Sequence, residues 1–150
     1  MPEHGPLPST EFKVELDGAE VPGFLEVKLP KKETEEYDYR EGDDAKHTRK
    51  MFGDVHYSPL VLARGADEEN GAINDWLQAV EEGNADEARK DIAVVIMDQS
   101  GENAIRYEFS EAWVREYEPP TLNAQANGGA EALAIETFTV EFEEMERKNQ

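Results

Sequence analysis

A two-residue hydrophobic period that returns along most of the chain is what most restricts its fold. Phe12-Lys13-Val14-Glu15-Leu16 alternates apolar and polar side chains, and Phe138, Val140 and Phe142 alternate with Thr137, Thr139, Glu141 and Glu143. Successive side chains of a strand point to opposite faces, so this period describes sheets with one face in a core and the other outside it. Asp17-Gly18, a strong short turn signal, follows the first segment, and Val21 to Leu29 returns as a second strand with Pro22-Gly23 near its start marking a bulge or an edge. Glu33 to Arg40 alternates again, with Tyr37 and Tyr39 on one face and Glu36, Asp38 and Arg40 on the other. Val55 to Arg64 and Arg89 to Asp98 are further strands, and the run Ile92 to Met97 is apolar enough for burial on both faces. Ile105, Tyr107 and Phe109 alternate in turn, and Trp113 to Tyr117 either extends that strand or starts another. Glu136 falls on the apolar face of the last strand, where it lies beyond the buried zone, pairs with a cation or precedes a bulge.

One segment has a different period. Ile73, Trp76, Leu77 and Val80 form the stripe of a short helix, with Asp67 or Asn70 as its cap and Gly83 at its left-handed end. The spacing thus predicts seven or eight strands with one flanking helix, a mainly β fold of the two-sheet sandwich or barrel type. Residues 1–10, rich in proline, are expected to be a flexible arm; residues 11–146 form the domain; residues 147–150 form a frayed end to a charged tail that begins at Glu143.

Of the 150 residues, 35 are acidic and 15 basic, a formal charge of −20. Such a surface repels nucleic acid and anionic lipid, so binding to either is not expected. The excess suits a particle surface or channel lining that must not hold polyanions, and equally a protein adapted to a salt-rich cytoplasm. There are no cysteines. The N-terminus lacks the basic and apolar parts of a signal peptide, and no apolar run reaches the ~18 residues of a membrane span, so assembly in the cytoplasm is expected.

No constellation for catalysis, cofactor or metal emerges. His4, His47 and His56 share no ligand spacing, there is no Gly-x-Ser-x-Gly elbow, and Asp98-Gln99-Ser100-Gly101-Glu102-Asn103 makes a better hairpin turn than a calcium loop. The segment from Glu41 to Gly53 stands out instead. It is read as a long polar loop whose first half is acidic (Glu41, Asp43, Asp44) and whose second half is basic (Lys46, Arg49, Lys50), which makes it the candidate assembly site.

The motifs, taken in order, resemble the phage tail tube proteins of the contractile-tail type, including the inner-tube proteins of extracellular contractile injection systems. Phe12 to Gly18 followed by Val21 to Val27 is similar to the family's opening hairpin, and Glu36 to Gly42 to its Tyr-Arg-Glu-Gly segment. Lys50 to Gly53 stands where a Lys-x-Pro-Gly element is usual, with Phe52 in place of the proline. Leu62 to Gly65, Trp76, Asp98 with Gly101, Phe109 to Trp113, Leu122 to Ala124 and Ala134 to Phe138 follow. Val114 replaces a frequent proline, and the acidity exceeds the family's norm.

The resemblance implies hexameric rings whose inner strands join around a lumen and which stack into a tube inside a sheath. Baseplate and tube-terminator proteins are the other implied partners, DNA or cargo passes through the lumen, and the particle is a virion tail or an injection system. The loop at 41–53 would reach the next ring; a net-negative lumen is a separate expectation, drawn from the acidic excess. The alternatives are a tube-initiator or baseplate paralogue that forms a single ring, and a salt-adapted acidic β-barrel that binds a ligand or acts as an enzyme.

Overall fold

The computed structural model describes residues 5–39, 49–66, 71–125 and 133–149. In chain order the elements are β1 (Phe12–Leu16), β2 (Ala19–Val21), β3 (Phe24–Lys28), β4 (Lys32–Tyr39), β5 (Arg49–Tyr57), β6 (Leu60–Gly65), α1 (Gly71–Glu81), α2 (Ala85–Ala88), β7 (Lys90–Met97), β8 (Asn103–Glu118), β9 (Ile135–Glu141) and β10 (Glu144–Asn149). Eight strands make one sheet in which β2-β1-β7-β8-β9-β6-β3 are neighbours and β10 adds to β8; β4 and β5 form a separate two-stranded sheet.

Strand β8 turns the eight strands into two layers. Residues 105–110 pair with β10 and with β7, while residues 113–118 pair with β9. Between them β8 carries one residue more than β7, and Glu111 there has a φ of +53°. A bulge bends a strand and shifts its facing by one. Phe109 is accordingly buried before the bulge, and Ala112 and Val114 after it. Trp113 to Tyr117 therefore extends the strand that begins at Asn103.

The core fills the space between the layers. Val14, Leu16, Ile92, Val94 and Phe109 come from one layer, Leu60, Leu62, Val114, Phe138 and Val140 from the other, and Ile73 and Trp76 from α1. The indole Nε1 of Trp76 donates to the Ala88 carbonyl 2.7 Å away, which ties α1 to the four-residue α2 that the periodicity did not announce. Gly83, at φ +71°, ends α1. Its N–H reaches the Val80 carbonyl and that of Asn84 the Ala79 carbonyl, the paired closure of a Schellman motif. Both cap residues proposed for the start of α1, Asp67 and Asn70, lie outside the described residues.

Four expectations need correction. The second strand is two strands, β2 and β3, broken at Pro22-Gly23 where the chain passes from one layer to the other. Val55 to Arg64 is likewise interrupted at Ser58-Pro59; proline offers no ladder donor, and Lys31 and Ser58 bond across the break instead. Residues 49–53 are not loop but the first half of β5. The charged tail does not fray over residues 144–149: as β10 it pairs with β8, and Met145 packs against the core.

Buried polar groups are few. Arg64 is 2% exposed, stacks its guanidinium 5.2 Å from the Phe24 ring centroid and donates to the Pro22 carbonyl. Glu136, its cross-strand partner in the β6–β9 ladder, has a carboxylate oxygen 3.9 Å from Nε, and the Tyr117 hydroxyl donates to the other oxygen at 2.7 Å. Of the three possibilities for Glu136, pairing with a cation is the one realised. That bond to a carboxylate also raises the Tyr117 pKa above its ordinary value, because it favours the protonated phenol.

Candidate assembly surfaces

Strands β4 and β5 make a hairpin that shares no ladder with the eight-stranded sheet. Register sets its two faces apart. Tyr39 lies opposite Arg49 and Tyr37 opposite Met51, whereas Asp38 lies opposite Lys50, Glu36 opposite Phe52 and, past a bulge at residues 53 and 54, Thr34 opposite Val55. The first set gives one face an apolar patch of Tyr39, Tyr37 and Met51 with Arg49 at its far end. Gly53 leaves room within it, since the Tyr37 ring lies 3.4 Å from where a Cβ would stand. The other face is charged and carries Phe52, which is 82% exposed, and Val55.

An isolated two-stranded hairpin is marginal in water, and its exposed apolar face is the mark of a surface that another surface covers. Ion pairs stiffen it on both faces, Lys50 with Glu36 on the charged one and His56 with Glu35 on the tyrosine one. Lys50 Nζ is 3.2 Å from Glu36 Oε1, and His56 Nε2 is 2.6 Å from Glu35 Oε1. The bond to Glu35, helped by its charge, raises the His56 pKa above the ordinary value.

The six residues singled out from the sequence divide. Glu41, Asp43, Asp44 and Lys46 lie outside the described residues. Arg49 and Lys50 stand on β5, on opposite faces of the hairpin. Sequence reasoning missed Met51 as the partner of Tyr37. The signal was available as alternation on both sides of one segment, but reading residues 41–53 as a single loop concealed it.

A second surface is the outer face of the layer β1-β7-β8-β10. Lys13, Val95, Arg106 and Lys148 align across the four strands, and so do Glu15, Ala93, Glu108 and Glu146. Cations thus form one row and carboxylates the next. Like charges directly opposite repel, but diagonal contacts offset this: Arg106 reaches Glu15 at 2.9 Å across β7, and Lys148 reaches Glu108 at 3.0 Å. Both cations lower the Glu108 pKa, Arg106 foremost. The long side chains close over Ala93 and Val95, which accounts for the burial of β7 on both faces.

Among the described residues, no cluster of three His, Asp or Glu side chains forms a metal site, and no helix is long and apolar enough to cross a membrane. The profile of the family described as T4-like virus tail tube protein gp19 matches residues 8–146. The chain belongs to that family. Its fold recurs in solved structures of tail tube relatives. A chain of the sheath-tube complex of an extracellular contractile injection system, PVC, in its extended state superposes with a TM-score of 0.81 at 20% identity, covering 98% of this chain and 94% of that one. A chain of the anti-feeding prophage cap, a tube-terminating cap, gives 0.80 at 20% identity over 100% and 95%. Hcp1 from Flavobacterium johnsoniae gives 0.56 at 14% over 93% and 95%. At these identities the likeness is one of fold. The curated proteins offer no match. In a member of a tail tube family, the hairpin and the charged face are the surfaces to weigh for assembly.

Proposed function

We propose that this tail tube protein is the inner-tube subunit of a contractile tail or injection particle, forming hexameric rings that stack into a tube within a sheath. The observation that carries the reading is the family match over residues 8–146. The solved structures of similar fold come from a sheath-tube complex, a tube-terminating cap and a baseplate. Sheath, terminator and baseplate proteins are accordingly its proposed partners. The subunit works without catalysis or cofactor, by shape and repetition. The formal charge of −20 gives a polyanion or anionic cargo no net attraction to the tube.

In this reading the β4–β5 hairpin and the segment that joins its strands connect neighbouring rings. Single exposed ion pairs contribute only ~0.2–1 kcal/mol, but a ring repeats each contact on every subunit. Negative-stain electron microscopy of purified protein is the test. Stacked rings with sixfold end views are expected; a protein that stays monomeric at high concentration in every salt overturns the proposal. A variant lacking residues 43–51 is expected to yield folded monomers or single rings, and tubes of ordinary length from it would refute the role of the hairpin.

A further inference from the structure

Two clefts differ in lining. One, between β1, β7, β8 and β10, is walled largely by charged groups such as Asp17, Arg106 and Glu144. The other, about 500 Å³, lies where edge strand β3 faces the N-terminal segment and β1. Its lining is largely apolar, with Leu7, Phe12, Leu25, Leu29, Ile96 and Ile105, and two carboxylates, Glu11 and Glu26, stand in it. Among the described residues β3 pairs only with β6, so the cleft lies at the open side of the two layers.

We propose that this cleft receives the apolar face of the β4–β5 hairpin from a second copy of the chain. The inference rests on the stacked-ring reading and names the surface the hairpin meets there. Three observations carry it. The hairpin presents Tyr37, Tyr39 and Met51 exposed on one face, and the cleft presents an apolar floor that no hairpin residue of the same chain lines. Charge agrees as well, since Arg49 shares the apolar face and the cleft holds Glu11 and Glu26. Finally, hairpin and cleft are different surfaces, so the contact is head-to-tail; a contact of this type propagates along a line of copies instead of closing on itself in a pair.

The chain has no cysteine, so introduced pairs report without background. Protein carrying both Tyr37→Cys and Leu25→Cys is assembled, oxidised and run on a non-reducing gel, beside a control carrying Tyr37→Cys and Leu122→Cys, the latter site being exposed and outside the cleft. Electron microscopy of the same samples before oxidation records whether tubes form. A ladder of multimers from the Leu25 pair but not the Leu122 pair is expected, and a mixture of the two single variants, Tyr37→Cys and Leu25→Cys, should stop at dimers. Tubes that cross-link through Leu122 or through neither site overturn the inference while leaving the stacked-ring reading in place. Absence of tubes from the unsubstituted protein removes both.

Discussion

On β9, Phe138 and Val140 are almost wholly shut from water; on β4, Tyr37 and Tyr39, at the same spacing, are 55% and 43% exposed. Both pairs belong to amphipathic strands of one chain. The difference lies in what each strand finds beside it. Strand β9 has a neighbour on each side and a second layer across the core, whereas β4 has only β5. Alternation therefore records that a face is meant to be covered, and leaves open whether the cover comes from the same chain.

That contrast can be broken in the unassembled subunit by denaturant unfolding. Phe138→Ala empties a packed position in the core and is expected to destabilise the monomer by about 3–5 kcal/mol. Gly83→Ala forces a Cβ into a left-handed helix end and should cost about 1–2 kcal/mol. Tyr37→Ser with Tyr39→Ser should move monomer stability by only about 0.5 kcal/mol, yet abolish tubes under the microscope. A large loss of monomer stability from this pair would mean that the hairpin face is already covered within the chain.

The smallest effect is electrostatic. A histidine bonded to a carboxylate keeps its proton to higher pH than a free one, so the His56–Glu35 bridge is complete below the ordinary value of 6.5. Its contribution to the hairpin fades as pH rises through the elevated folded-state value. Nuclear magnetic resonance titration of the His56 ring should give a midpoint above 6.5 that falls in Glu35→Gln. A midpoint indifferent to that substitution would show that Glu35 does not hold the ring.

Much of the body was legible in the sequence because its signals are local. The φ of +51° at Asp17 and +86° at Gly18 suits the hairpin turn their side chains announce, and Ile73 and Trp76 bury as their spacing requires. What escaped depends on neighbours remote in sequence. Glu144–Asn149 reads as a solvated charged run, and only the partner strand supplied by β8 makes it β10. Ala93 and Val95 read as doubly buried, but their outer cover is a set of ion-paired side chains rather than apolar surface. The candidate site was half visible. Arg49 and Lys50 were found by charge, while Met51 was taken into a loop because the polar residues before it set the reading of the whole segment.

Lys13, Arg106 and Lys148 stand two residues along their strands from Glu15, Glu108 and Glu146, a separation of about 7 Å. Each subunit therefore carries an electric couple directed along this layer. Copies set side by side with their strands parallel add these couples, even as their net charges push apart. The resulting alternation of sign decays within about one Debye length, ~8 Å at physiological salt. It acts on whatever slides in contact with the face, and a charged body farther off feels only the negative total.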